Sequence, residues 1–308
     1  MKYTNKILVI SNSKFFHKNL IDYLGKNFES KKIKIINLSI NYSKFPKTIE
    51  KEIIDYKPNT IVNLLGIYGG IEFNKKNPLM LINQNLNILT SLIECLKKIK
   101  NLDFVINLGA SCLYENSTSA LKEKNIHKVN YEISNREYST FRYTSMIAIQ
   151  AFAKENKIKS STIIPATLYG PHDKKNEEDC HVLQAMFLKL QKSKNKNLDQ
   201  ITFFGSPKTK REFLYIDDFF SSIFFIIKNY YKVPEVINIS SGYEITMKNL
   251  ANIISKNIDF KGKIIFDNDY NFSSINRKIL SGRILKRMNW SAKIDIETGL
   301  KLMIEKNI

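Results

Sequence analysis

The chain has 308 residues, enough to bury a large core without help from disulfides or metals. With 43% hydrophobic, 25% charged and 11% aromatic residues, the composition excludes a disordered, collagenous or fibrous protein. Forty-eight basic against 29 acidic residues give a net charge of +19, which invites an anionic partner. The lysines are scattered, however, and the short clusters at 192–196 and 208–211 stand in no nucleic-acid motif, so DNA and RNA are not expected partners.

In chain order, the N-terminal MKYTNKILVIS moves from a charged start into an apolar run too short for a signal-peptide core or a membrane span. No later run reads as long enough to span either, and no membrane association is expected. Residues 6–11 (KILVIS), 33–38, 60–65 and 104–108 (FVINL) are β-branched apolar runs of the kind buried on both faces of a parallel sheet. Residues 15–24, 47–56 and 78–99 carry helical spacing of apolar residues, and a further helix (138–155) and strand (160–164) continue the alternation. Alternation of this kind predicts right-handed βαβ crossovers, hence an α/β fold with a doubly wound parallel sheet. After Pro165-Ala-Thr-Leu-Tyr-Gly-Pro171 the texture changes to a polar loop, a helix over 181–190, a strand over 201–204 and shorter elements. The expected division is 1–170, a nucleotide-binding domain, and 171–308, a smaller C-terminal α/β substrate-binding domain, with segments near 213–240 packing back on the first. No flexible linker marks the boundary, so the two parts are expected to share a cleft at the carboxyl ends of the strands.

Three cysteines, Cys95, Cys112 and Cys180, are widely spaced with no CxxC, which points to neither a disulfide framework nor a cysteine zinc site. A reducing compartment fits, and a cytoplasmic location without a bound metal is expected.

Several passages in order carry a resemblance: Gly69-Gly-Ile71, Asn77-Pro78, Gln84-Asn85, Leu108-Gly-Ala-Ser-Cys-Leu-Tyr114, Leu168-Tyr-Gly-Pro-His-Asp173, Cys180-His-Val182, Arg211-Glu-Phe-Leu-Tyr-Ile-Asp-Asp218 and Arg277-Lys278. Together they resemble the GDP-L-fucose synthase family, extended short-chain dehydrogenase/reductases with a Rossmann-like fold. The resemblance implies epimerisation of a GDP-4-keto-6-deoxy sugar followed by reduction with NADPH. It places Cys112 and His181 on the epimerase acid/base pair. A C4 ketone acidifies the hydrogens on C3 and C5, inversion needs proton exchange on both faces, and a thiol and an imidazole both exchange protons near neutral pH. Taken alone, Cys112 reads as a small buried hydrophobe and His181 as a surface residue at a helix start. His172 belongs to the loop motif and reads as structural; His127 reads as surface. On the substrate side the resemblance implies Lys189 where the family has arginine, Phe204 where it has tryptophan, and Arg211 and Lys278 unchanged, cations suited to a GDP diphosphate. A solvated basic surface is the competing reading for each.

The reductase half departs from the family pattern. Tyr138 matches the tyrosine of YxxxK, but Arg142 stands in place of the lysine. Arginine is able to lower the tyrosine's pKa, but its planar fork does not reproduce a compact ammonium at the nicotinamide ribose. Ala110 replaces the serine donor, and Ser111 is offset so that an extended backbone points it away. Between the first strand and helix, Ser11, Lys14 and His17 stand where GxxGxxG is expected. Side chains there obstruct a pyrophosphate approaching the helix start, although the Lys14 charge favours one. NADP(H) is the cofactor the resemblance implies, and these positions oppose its binding. Three readings stay open: an epimerase without redox activity, a bifunctional NADPH-dependent epimerase/reductase, and a non-catalytic paralogue that binds GDP-sugar or an active partner. The family pairs through the helices before and after the Cys112 strand, which implies a homodimer or a heteromer.

Overall fold

The computed structural model describes residues 6–27, 33–38, 45–115, 117–126, 135–176, 180–267 and 277–307. His127 and residues 39–41 lie outside them. Short apolar β-branched runs form β1 (Ile7–Ser11), β2 (Ile33–Asn37), β3 (Thr60–Asn63), β4 (Phe104–Leu108) and β5 (Lys159–Pro165). Between them run α1 (Lys14–Asn27), α2 (Lys47–Tyr56), α3 (Ile71–Lys76), α4 (Pro78–Leu96) and α5 (Arg136–Glu155). These strands, with β9 (Val236–Ile239), make one parallel sheet in the order β2-β1-β3-β4-β5-β9. Alternate residues face opposite layers: Leu8, Ile10, Ile61 and Val105 enter the layer built with α2, α4 and α5, while Val9, Val62, Phe104 and Ile106 enter the layer that includes α1 and α7 (Ile216–Lys228).

The remaining elements are β6 (Thr167–Tyr169), α6 (Val182–Asn195), β7 (Gln200–Phe204), β8 (Lys210–Tyr215), β10 (Glu244–Thr246), α8 (Met247–Asn257), β11 (Lys263–Asp267), β12 (Arg277–Lys278), α9 (Arg283–Arg287) and α10 (Ile296–Asn307). β10, β8, β12 and β6 form a second sheet, and β11 pairs with β7. The segment 216–239 thus returns to the first half of the chain, with α7 against α1 and β9 closing the main sheet. One apolar core runs from Val9 to Ile304 across both halves.

One sequence expectation is corrected here. The 19-residue α4, with a mean hydropathy of 1.2, is long and apolar enough to cross a membrane by length and composition. Its Leu81, Ile88 and Leu92 are buried against the sheet, which is the position of a core helix.

The chain order turns back between β1 and β3: β2 lies on one side of β1, and β3, β4, β5 and β9 extend on the other. In an open α/β sheet, ligands bind over the carboxyl ends of the strands beside this switch. Here those ends carry Ser11-Asn12 and Leu64-Leu65-Gly66, so the fold directs attention to that crevice.

Candidate active site

A cavity of about 660 Å³ opens over the carboxyl end of the main sheet. Cys112, Tyr138 and His181 line its middle, and Phe204, Arg211 and Lys278 line one end. The backbone beyond β4 explains how Cys112 gets there. Ala110 is extended (φ −153°, ψ 150°), and a 3-10 turn over Ser111–Leu113 then swings the chain inward. Because of that turn both Ala110 and Ser111 face the cavity, which corrects the expectation that Ser111 points away. Ser139 Oγ donates to the Cys112 carbonyl at 3.3 Å and fastens the turn to α5.

His181 is the N-cap of α6 and is exposed toward the cavity lumen. Desolvation by the cleft holds its pKa below the ordinary 6.5; the Asp173 carboxylate opposes this, and the Lys174 ammonium adds to it. The imidazole is therefore neutral at pH 7. Asp173, with its own pKa raised mainly by desolvation, also lines the cavity. Cys180, adjacent to His181, is a third lining group. By contrast Cys95 lies in the core with its thiol pushed up to about 12 by burial, a state that makes it unreactive.

Arg142 is fully buried below the cavity floor. Its Nε donates to Tyr138 Oη at 2.8 Å, and its Nη1 donates to the carbonyls of Leu65 and Leu108, both at 2.9 Å. Gly66, at φ +152°, lies so close that a Cβ there would collide with the guanidinium, so the glycine makes room for the arginine. Desolvation outweighs the cation, and the Tyr138 pKa is raised. Arg142 does act to lower it, as expected, through its charge and its hydrogen bond, but the burial of the phenol is the larger influence. With Arg142 donating to its oxygen, the neutral Tyr138 phenol keeps its own proton for another acceptor.

The turn after β1 does not form a phosphate cradle. The Ser13 N–H, which would face a phosphate, donates to Ser11 Oγ at 3.0 Å. Asn12 Oδ1 accepts from Gly66 N–H at 3.0 Å, bridging β1 to β3 across the switch-point crevice. Phe15 and Phe16 are buried and present their rings to the cavity. Lys14 is exposed and contributes no wall to the cavity, so its charge does not compensate. His17 is partly buried with Nδ1 unpaired. The residues present do not fit a dinucleotide pyrophosphate at this turn.

At the far end, Lys278 on β12 pairs in register with Arg211 on β8, so both cations reach the cavity from adjacent strands. Buried Glu212 fixes this register: it accepts from Ser240 Oγ (2.5 Å), Ser241 Oγ (3.2 Å), Gly242 N–H (3.1 Å) and Leu280 N–H (2.7 Å). Phe204 is 52% exposed at the rim. Lys189 stands behind it, with its Nζ donating to the Thr202 carbonyl at 2.7 Å and lying 5.1 Å from the Phe204 ring centre. It supports the wall and does not line it. His172, at φ +61°, pairs with Asp22 of α1 at 3.3 Å, and Asn19 Nδ2 donates to the Pro171 carbonyl at 2.6 Å. These two contacts hold the 168–173 loop on α1.

Sequence reasoning missed Tyr68, Asp173 and Glu212. The first two lie within or beside quoted motif segments, and Glu212 lies inside one, but nothing in their spacing distinguishes a cavity wall from a buried brace.

A model of the NAD dependent epimerase/dehydratase family matches residues 12–240. The chain is 30% identical to the GDP-L-colitose synthase of Yersinia pseudotuberculosis over 256 residues, covering 82% of each protein. It is 31% identical to the GDP-L-fucose synthase of Sinorhizobium fredii, covering 82% of this chain and 80% of that one. Its fold matches a solved GDP-mannoheptose C4 reductase of Campylobacter jejuni with NADP bound (TM-score 0.83, 19% identity, 100% and 99% coverage). It also matches a GDP-L-fucose synthetase of Naegleria fowleri bound to NADP (TM-score 0.85, 19% identity, 99% and 93% coverage). With the strand order, the cavity at the carboxyl end of the main sheet and these matches in agreement, the chain is an enzyme of the NAD dependent epimerase/dehydratase family.

Proposed function

We propose that this enzyme epimerises a GDP-4-keto-6-deoxy sugar by proton exchange alone, without a nicotinamide. The observation that carries this reading is a contrast: Cys112 and His181 line the cavity together with two cations, while at the turn after β1 Ser13 N–H donates to Ser11 Oγ and Asn12 Oδ1 accepts from Gly66 N–H. The homologues' names, GDP-L-colitose synthase and GDP-L-fucose synthase, support the substrate class.

In this reading Arg211 and Lys278 hold the diphosphate and place the sugar over Cys112 and His181. A C–H bond beside the C4 ketone breaks, its proton passes to the neutral His181 ring, and the electron pair moves onto the C4 oxygen as an enolate. Tyr138, a neutral phenol held from behind by Arg142, donates its O–H to that oxygen as charge develops. Protonation from the opposite face, served by Cys112, completes the inversion. The reading also includes pairing of two copies through α4 and α5, whose exposed Leu79 (69%) and Ile147 (42%) would be covered.

The test is incubation with a GDP-4-keto-6-deoxy sugar in deuterated water without NADPH. Deuterium at C3 or C5 is the expected result, reduced about 100-fold or more in Cys112→Ser, in line with the usual worth of a positioned acid or base. No exchange by the wild type with substrate binding confirmed defeats the proposal. Stoichiometric NADPH oxidation on adding the same substrate would instead restore the bifunctional reading.

A further inference from the structure

Tyr68 lies in the loop after β3 and reaches across the crevice. Its hydroxyl lies near the Ser13 side chain, beside the start of α1. Its ring lies nearly parallel to the His181 imidazole, with centroids 5.6 Å apart at 11°. It stands 6.2 Å from the Tyr138 ring. The ring and the loop are also held by Lys174, whose Nζ donates to the Tyr68 carbonyl at 2.7 Å and sits 5.0 Å from the ring centre. One side chain therefore spans the interval between the first helix and the proton-transfer histidine. A dinucleotide lying from the α1 N-terminus into the cavity crosses that interval.

We infer that Tyr68 stands where a nicotinamide ring would have to lie, and that its ring serves as a fixed internal wall that positions His181. The inference rests on the reading of His181 as a proton-transfer group. It adds a physical reason for redox-free action: the space is filled from within and does not stand open. Three neighbouring features agree. Phe15 and Phe16 line the cavity beside the start of α1, Asn12 is bridged to Gly66 between the ends of β1 and β3, and Arg142 takes the carbonyls of Leu65 and Leu108 beyond β3 and at the end of β4. A flat aromatic ring preserves a surface for the imidazole to stack on, which an aliphatic side chain in that place would not supply. The groups facing His181 are Tyr68 from the β3 loop and Asp173 and Lys174 from the loop after β6, with Cys112 and Tyr138 across the cavity.

The experiment uses the full chain and three variants, Tyr68→Phe, Tyr68→Leu and Tyr68→Ala, each checked for a native urea transition. Two readouts need no turnover: titration of His181 by NMR, and fluorescence titration with reduced nicotinamide mononucleotide, a probe that carries no adenosine and so makes little demand on the turn after β1. Removing the ring is expected to hydrate His181 and raise its pKa toward 6.5 in Tyr68→Leu and Tyr68→Ala, whereas Tyr68→Phe retains the wild-type titration. Tyr68→Ala is expected to bind the mononucleotide at least tenfold more tightly than the wild type. An unchanged His181 titration in both ring-less variants, or equal mononucleotide binding by wild type and Tyr68→Ala, overturns the inference. Deuterium exchange by the wild type is measured alongside, and its absence defeats the epimerase proposal while the two binding readouts still decide the place of Tyr68.

Discussion

At the inner end of the site, around the ends of β1 and β3, several polar groups are partnered within the protein: Ser13 N–H with Ser11 Oγ, Gly66 N–H with Asn12 Oδ1, and the Leu65 and Leu108 carbonyls with Arg142. At the outer end, Arg211 and Lys278 come from paired strands and face the lumen. Both ends are rich in cations and aromatic rings, so residue type does not separate them. What separates them is access: Arg142 is fully buried and holds backbone carbonyls, whereas Arg211 and Lys278 line the cavity, where a ligand is able to reach them.

The contrast breaks most visibly in stability. Arg142→Ala leaves two buried carbonyls without a donor and empties a filled space, and it should cost about 2–4 kcal/mol. Arg211→Ala and Lys278→Ala should change stability by less than about 0.5 kcal/mol, as partly exposed charges do. Urea unfolding with m-values checked for constancy measures all three. Equal destabilisation at both ends would remove the distinction between brace and binder.

Affinity gives the reverse ordering with a smaller effect. If Arg211 and Lys278 make charge-assisted bonds to a diphosphate, each alanine variant should weaken GDP-mannose binding by about 1–3 kcal/mol, roughly 5- to 150-fold. Calorimetry at matched salt decides this, and unchanged affinity in both variants returns them to the solvated surface.

Much of the fold was legible because parallel strands buried on both faces leave an unmistakable apolar run: 104–108 and 47–56 fall on β4 and α2 to the residue, and 160–164 lies within β5. The return of β9 to the main sheet was legible only as a segment packing back, since Val236–Ile239 is four residues long and its partner β5 lies some seventy positions earlier. In the site, Cys112, His181, Arg211 and Lys278 were read by position within motifs, and all four line the cavity. Lys189 was read in the same way and instead braces Phe204 from behind, because helix spacing gives a direction but not which of two layers a long side chain reaches. Tyr138 was legible as a residue but not as a state: the sequence shows the cation four positions on and conceals the desolvation that outweighs it. Tyr68 carried no signal at all, for a tyrosine before two glycines looks the same whether it faces solvent or crosses a crevice.

The smallest effect concerns pH and sharpens the picture of the middle of the cavity. His181 has a folded-state pKa below its ordinary 6.5, so as pH falls below that value the unfolded chain binds a proton that the folded chain does not yet bind. The His181 contribution to stability is therefore fully present above pH 6.5 and is lost as pH drops from there through the depressed folded value. The same neutral ring should keep proton exchange active below pH 6.5, with the acid limb of the rate falling only once His181 itself is protonated. Asp173 supplies the opposing influence that holds the shift in check. Asp173→Asn removes a negative charge, so it should move the acid limb to still lower pH by a fraction of a unit while leaving the rate at pH 8 within about threefold. A limb that moves upward in this variant would mean that Asp173 desolvates His181 more than it stabilises its protonated form, and that the cavity holds the ring neutral by a different cause.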